Sequence, residues 1–225
     1  MASPTGPTNP VARQILLVAE RMFSQDGIAG VSLRQIAAEA GTANNSAVRY
    51  HFGTKDDLLR AIFELRLPDL LRRRSLLMEQ ADPDDLRERL EAHLLPLMEL
   101  AEAPDCSYVS FIEQVERAGL VDLFASQPDV IASNDAFLND MQRLLPTVPE
   151  PARSLRVSQV QTLMVHTAAE RERAVNRDAT RLPFGLFVSA VVDGFTGFLS
   201  APASARTKRL AKTAPGVSVG LTRPT

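Results

Sequence analysis

A polar cluster between residues 44 and 55 contains the types of side chain that recognise DNA. Asn44, Asn45, Ser46 and Arg49 place hydrogen-bond donors and acceptors on one short segment. In protein–DNA complexes arginine pairs with guanine and asparagine with adenine through two hydrogen bonds, and each good pair gives about 1–3 kcal/mol of discrimination between bases. The alternative is a polar helix end that is merely solvated, and the segment alone leaves both interpretations open.

Hydroxyl and basic side chains follow this segment, and such groups suit contacts with phosphates, which position a protein on the duplex. Lys55 falls in the first turn of a predicted helix, where the helix dipole disfavours a cation, and we interpret this as a role facing an anion. The predicted DNA-binding residues are Arg34, Thr42, Asn44, Asn45, Ser46, Arg49, Tyr50, His51, Thr54 and Lys55.

Four helices with local start and stop signals position these residues. Asn9-Pro10 predicts the beginning of a helix over about 10–24, and capping boxes at 32–35 and 54–57 predict the second and fourth helices. A third short helix is predicted over about 44–50, after a turn that contains Gly41. Two short helices joined by such a turn form the helix-turn-helix arrangement.

The rest of the chain also has helical periodicity, without strand-like alternation. Asp82-Pro83 predicts the cap of one helix, and others are predicted over about 105–126, 130–145, 152–176 and 183–200. We therefore predict an all-α fold, with an N-terminal three-helix helix-turn-helix domain and a larger C-terminal helical domain.

Charge and cysteine content restrict the function classes. The net charge is −2, but residues 1–55 carry +2, residues 56–202 carry −9 and residues 203–225 carry five basic residues and no acid. A positive head beside an acidic body is a weak indication of a polyanionic partner for the head. Cys106 is the single cysteine, which excludes an intramolecular disulfide framework, and the N-terminus has no signal-peptide pattern. We expect a cytoplasmic protein.

Signals for catalysis and for metal or cofactor binding are absent from the sequence. There is no GxGxxG, P-loop, GxSxG or HExxH motif. His166 and Glu170 have i, i+4 spacing, but no third metal ligand follows at a telling distance, so a helix-surface contact is the preferred interpretation. We predict that the chain is not an enzyme and binds no cofactor or metal.

Residues 10–63 resemble the N-terminal DNA-binding domain of the TetR family of transcriptional regulators. The residues that carry the resemblance are Ile15-Leu16, Ala19, Phe23, Gly27, the stretch 32–37, Ala40-Gly41, Tyr50-His51-Phe52, Lys55-Asp56 and Leu58-Leu59. Two departures concern the third helix. Val48-Arg49 replaces a common Leu-Tyr pair, and the run from Gly41 to Phe52 is one residue longer than the commonest spacing. The phosphate contact of the family tyrosine therefore passes to Tyr50 or is absent.

The stretch 183–200 is apolar nearly all round. It is too short for a membrane span and contains Asp193, so we predict no membrane association. A helix of this kind is buried on all sides, either inside one subunit or between two. The resemblance implies the second, with the last two helices forming a dimer interface. The predicted interface residues are Phe184, Phe187, Val191, Phe195 and Phe198.

The resemblance also implies a small-molecule pocket between the middle helices. Helices near it carry the candidate lining residues Met98, Tyr108, Phe111, Met141 and Met164, which favour an apolar or amphiphilic effector. The predicted organisation is a flexible leader (1–9), a DNA-binding domain (10–54), an effector-binding and dimerisation domain (55–202) and a disordered basic tail (203–225).

These features predict a sequence-specific transcriptional regulator. We expect a homodimer that binds a pseudo-palindromic double-stranded operator and represses transcription until a small-molecule effector releases it. Two alternatives remain: a ligand-independent architectural DNA-binding protein, and a helical enzyme or carrier with a vestigial head. The small charge of the head argues against strong non-specific binding.

Overall fold

The computed structural model describes residues 9–42, 46–125 and 127–214, apart from the side chains of Ser46 and Phe124. In this part of the chain there are eleven helices and no strand, which confirms the all-α class. The helices are α1 (Pro10–Gly30), α2 (Leu33–Glu39), α3 (Ser46–Phe52), α4 (Lys55–Gln80), α5 (Leu86–Ala101), α6 (Tyr108–Arg117), α7 (Asp122–Ala125), α8 (Pro128–Leu144), α9 (Ala152–Asn176), α10 (Phe184–Ser200) and α11 (Ala205–Ala211).

The predicted caps begin the helices of the N-terminal region. The Asn9 side chain accepts a hydrogen bond from the Val11 N–H at 2.9 Å. Ser32 and Gln35 exchange the two hydrogen bonds of a capping box before α2. Residues 54 and 57 form the same motif before α4. Each cap satisfies backbone N–H groups that have no partner inside the helix, so these helix starts are fixed locally.

Several boundaries differ from those that the sequence predicts. α1 continues to Gly30 across a break at Gly27. The φ of Gly27 is 76°, in the left-handed region that glycine adopts more readily than other residues. Gly119, with φ 68°, likewise separates α6 from α7, where one helix is predicted. Asp85 rather than Asp82 caps α5, because the Asp82 carboxylate accepts the Asp84 N–H in the preceding turn.

Part of the predicted disordered tail is helical. Residues 205–211 form α11, and the Ser204 side chain caps it by accepting the Thr207 N–H at 3.1 Å. This local cap gives the segment a helix start that composition alone does not reveal. Of the predicted leader, residues 1–9, Asn9 is the cap of α1, and residues 1–8 lie outside the described residues, as does the last part of the tail.

One hydrophobic core joins the N-terminal and C-terminal helices. The buried cluster extends from Ile15 in α1 to Leu199 in α10. α1 packs against α6, while α9 packs against α5 and α6. The N-terminal half of α4 belongs to the same core through Leu58 and Ile62. The predicted boundary between two domains at residue 54 therefore stays a prediction. Within this core, α6 is the C-terminal helix against which α1 packs.

Candidate nucleic-acid interface

α3 is anchored on one side and open on the other. The Val48 side chain is fully buried, and Phe52 packs against the edge of the core. Arg49 is exposed, and Tyr50 is 85% exposed. Arg49 forms no ion pair within the described part of the chain. The outward face of α3 thus presents a guanidinium and a phenol on a helix whose other face is buried.

α2 packs against α3 and carries a second exposed basic side chain, that of Arg34. Ile36 and Ala37 are buried, whereas Arg34 on the opposite side is exposed. The Thr42 hydroxyl donates to the Ala37 carbonyl at 2.9 Å, so it closes the C-terminal end of α2. Asn44 and Asn45, predicted to contact bases, lie outside the described residues, as does the Ser46 side chain.

The residues after α3 hold the chain in place as it enters α4. The Thr54 hydroxyl donates to the Asp57 carboxylate at 2.5 Å, and the hydrogen bonds from Thr54 lower the pKa of Asp57. His51 is half-buried and lies edge-on to Tyr50, with ring centroids 5.2 Å apart. His51 lies at the C-terminal end of α3, and Thr54 follows two residues after this helix. The Thr54 hydroxyl also takes part in the capping box at the start of α4.

Lys55 has a structural partner that the sequence does not reveal. Its Nζ donates to the Ile28 and Val31 carbonyls, at 2.6 Å in the second case. It also lies 5.5 Å from the centre of the Phe23 ring, and burial lowers the pKa of the Lys55 ammonium. The ammonium therefore joins the start of α4 to the turn between α1 and α2. This placement favours a structural role over the predicted phosphate contact.

A buried ion pair, which sequence reasoning missed, connects this region to the C-terminal helices. Glu20 on α1 is 2% exposed and accepts two hydrogen bonds from Arg66 of α4, at 2.9 and 3.0 Å. It also accepts the Ser107 N–H, just before α6, at 3.2 Å. The sequence contained one signal for the burial of Glu20, because Glu20 lies on the same helix face as the apolar Leu16 and Phe23.

Glu20→Gln is expected to lower the free energy of unfolding by about 2 kcal/mol. The amide removes the charge that Arg66 faces, and breaking a buried ion pair leaves one charge uncompensated. The effect is moderated because Arg66 is 23% exposed. Urea titration measures the change. Glu39→Gln is the matched control, because Glu39 forms an exposed pair with Arg21 and its loss is expected to cost less than about 1 kcal/mol. Equal losses in the two variants would contradict the special role of Glu20.

Comparisons with known proteins identify this arrangement. Residues 15–62 match the family model of the bacterial regulatory proteins of the tetR family. The chain is also 38% identical over 90 residues to the HTH-type transcriptional repressor Rv3405c of Mycobacterium tuberculosis. Residues 15–62 therefore form an N-terminal helix-turn-helix domain of the tetR type. The second alignment includes 40% of this chain and 45% of the repressor, so the chain spans less than half the length of this curated relative.

Two solved structures of regulators share the fold of this chain. The fatty acid degradation regulator FadR of Bacillus halodurans has a TM-score of 0.56 at 18% identity, covering 86% of this chain and 97% of its own. The ketosteroid regulator KstR2 of Mycobacterium tuberculosis has a TM-score of 0.54 at 19% identity, covering 88% and 97%. The family consists of regulatory proteins, in agreement with the prediction that the chain is not an enzyme.

The predicted pocket residues all belong to the hydrophobic core. The structure buries Met98, Tyr108, Phe111, Met141 and Met164 completely or almost completely. Phe63 of α4 lies against two of them, with its ring centre 6.1 Å from that of Tyr108 and 5.1 Å from that of Phe111. Their role as ligand contacts stays a prediction, since apolar core residues have the same placement.

One side of α10 is exposed to solvent. Val188, Val192 and Leu199 are its buried residues, whereas Leu186 is 56% and Phe198 41% exposed. The other four predicted interface residues, Phe184, Phe187, Val191 and Phe195, are half-buried. On α9, Leu155 and Leu163 are 48% and 42% exposed. An apolar surface of this kind indicates an interaction site.

The histidine on α9 has a local partner. His166 Nδ1 lies 2.6 Å from the Glu113 carboxylate, and Arg173 donates to the same carboxylate at 2.7 Å. In the described ranges no group of three or more metal-ligating side chains comes together. No single described helix is long and apolar enough to cross a membrane, although α10 and α11, bent by 64°, pass that test as a pair.

Proposed function

We propose that this chain is a sequence-specific transcriptional regulator of the TetR family, which places α3 in the major groove of an operator. The observation that carries the proposal is the outward face of α3. Its Arg49 and Tyr50 are exposed on a helix anchored by the buried Val48, within residues that match a regulatory family. A recognition helix must present donors to base edges while its other face fixes its orientation. The proposed place of action is the cytoplasm.

We further propose that the functional unit is a homodimer paired through α9 and α10. The exposed Leu186 and Phe198 would lose their contact with water on pairing, and the open space beside Gly185, Gly194 and Gly197 permits close approach of a second helix. A twofold axis at this surface presents two copies of α3, which is why the operator is expected to be pseudo-palindromic.

The proposed mechanism is repression that a small-molecule effector relieves. α4 directly follows α3 and also contacts the helices of the C-terminal core. An effector that favours a different position of α4 changes the distance between the two recognition helices. A coupling of about 1–3 kcal/mol would weaken operator binding roughly 5–150-fold. The effector need only bind the two conformations with different affinities.

The direct test is to sequence the genomic fragments that the purified full chain retains at about 0.15 M salt, near the physiological range. We expect enrichment of one or a few pseudo-palindromic sites. High retention without enrichment would instead identify an architectural DNA-binding protein, whose binding falls steeply with salt and has no sequence preference. Low retention at every salt concentration would contradict DNA binding by the effector-free chain.

A further inference from the structure

The C-terminal core contains a cation without a counter-ion. Arg74 of α4 is half-buried and donates to the His93 carbonyl at 3.0 Å and to the Ser133 hydroxyl at 3.2 Å. Both partners are neutral, and no carboxylate within the described part of the chain forms an ion pair with Arg74. Burial lowers the pKa of its guanidinium to about 10, yet the group stays charged at neutral pH. Charges removed from water are normally paired.

Two neighbouring polar atoms also have no partner. The Tyr108 hydroxyl and His93 Nδ1 are buried and lack any hydrogen-bond partner among the described residues. Tyr108 is 0% and His93 9% exposed. Burial raises the pKa of the Tyr108 hydroxyl, which also faces the charges of Glu20, Arg66 and Arg74. Burial likewise lowers the pKa of His93, whose backbone carbonyl accepts a hydrogen bond from Arg74, so the three residues lie in one region. Unpaired buried polar atoms are uncommon in folded proteins, and each one calls for an explanation.

The surroundings of these polar groups are apolar. The Phe137 ring stacks on His93 with centroids 4.1 Å apart, and Phe63 and Phe111 pack around Tyr108. Met98 of α5 and Met141 of α8 are buried in the same hydrophobic core, and methionine side chains adapt readily to the shape of a neighbour. A molecule placed here would meet one charged end and an otherwise apolar environment.

We propose that this region binds an amphiphilic organic anion, whose acidic group lies against Arg74 and Tyr108 and whose apolar body replaces core contacts near Met98 and Met141. The inference rests on the proposed effector site and names its ligand class. Such an anion supplies the counter-ion that Arg74 lacks and accepts a hydrogen bond from the Tyr108 hydroxyl. Charge-assisted hydrogen bonds of this kind are about twice as strong as neutral ones.

α8 is the wall best suited to open for such a ligand. Over its 17 residues α8 buries only Phe137 and Met141 completely, and its Asp140 pairs with Arg89 of α5, which is a polar contact that opening must break. Its Ser133 also gives Arg74 one of its two neutral partners. A helix with few buried apolar side chains separates from the core at a lower cost in free energy than its neighbours. An entering anion can therefore replace Ser133 as a partner of Arg74.

The same anion would bridge the helices that control α3. Arg74 is on α4, His93 on α5 and Tyr108 begins α6. α4 follows α3, and α6 packs against α1. When residues of α4 and α6 contact the acidic group of the same ligand, the ligand favours one arrangement of α4 relative to α6. The ligand thereby acts on both helices that support the proposed DNA-binding surface.

The test compares two fluorescent probes that differ in one acidic group. 8-Anilinonaphthalene-1-sulfonate carries a sulfonate on an apolar body, and N-phenyl-1-naphthylamine is its uncharged analogue. We expect Arg74→Met to weaken binding of the sulfonate probe at least about tenfold, and Tyr108→Phe to weaken it about three- to tenfold. Binding of the uncharged probe is expected to change less than about twofold, since apolar contacts remain. Arg72→Met, at an exposed arginine of α4, is the matched control.

A thermal unfolding curve without probe gives an independent measurement. Tyr108→Phe removes a hydroxyl without a partner, so the melting temperature is expected to stay equal or rise. A clear fall would indicate a structural role for the hydroxyl and overturn this part of the proposal. Tyr108→Phe also keeps the proposal testable if Arg74→Met fails to fold, because it retains the guanidinium and the shape of the ring.

The outcomes separate this inference from the proposed function. If both variants bind the sulfonate probe as the wild type does, or if the wild type does not bind it, the ligand class is wrong, whatever the operator experiment gives. If the variants lose the sulfonate probe selectively while no genomic site is enriched, the anion site stands and the regulator proposal falls. If the variants lose both probes equally, the site recognises no anion.

Discussion

Arg49→Ala is expected to weaken operator binding at least about 30-fold without changing the free energy of unfolding measurably. A lost bidentate contact with a base costs about 1–3 kcal/mol, and a dimer loses it twice. The protein itself loses little, because Arg49 is exposed and forms no ion pair in the described part of the chain. Fluorescence anisotropy with labelled operator measures the affinity, and urea titration measures the stability.

A second DNA of scrambled sequence shows which kind of contact is lost. If Arg49 contacts a base, the ratio of operator affinity to scrambled-sequence affinity falls. If it contacts a phosphate, both affinities fall together, and the slope of log affinity against log salt decreases by about 1 per contact. Arg72→Ala is the control, because Arg72 is also an exposed arginine but lies on α4, 74% exposed. Unchanged affinity for both DNAs in Arg49→Ala would contradict the assignment of α3 as the recognition helix.

Leu186→Glu is expected to convert the proposed dimer into monomers and to reduce operator affinity by about 100-fold or more. A carboxylate at this position would be buried without a partner in an apolar interface, which costs several kcal/mol. In a monomer each α3 binds its half-site alone, and the loss of linked binding typically costs 10²–10⁴ in affinity. Light scattering during gel filtration measures the mass, and anisotropy measures operator binding.

Leu76→Glu is the matched control for Leu186→Glu. Leu76 is 48% exposed, close to the 56% of Leu186, but it lies on α4 rather than on the α9–α10 surface. We expect Leu76→Glu to remain dimeric and to bind the operator normally. A Leu186→Glu protein that stays dimeric at micromolar concentration would show that the subunits pair through another surface. Monomers in both variants would indicate a general effect of added charge.

The sequence alone determined the helical starts of the N-terminal region. The capping boxes before α2 and α4 were predictable because their hydrogen bonds join residues three positions apart. The matched residues 15–62 likewise form a continuous stretch, so the family was recognisable without a structure. The apolar circumference of α10 was also evident from its sequence, although the partner that covers it was not.

Only the tertiary structure decided the roles of individual charged residues. The sequence places Lys55 beside the predicted DNA contacts, but in the fold its ammonium binds carbonyls 24 and 27 residues away. Glu20 meets Arg66 and Ser107 across 46 and 87 residues, and Arg74 meets Ser133 across 59. Composition and periodicity describe the face of a helix on which a side chain lies, but its partner depends on how the helices pack. A cap is set by backbone geometry within one turn, whereas the partner of a buried charge is set by which distant helix the core brings against it.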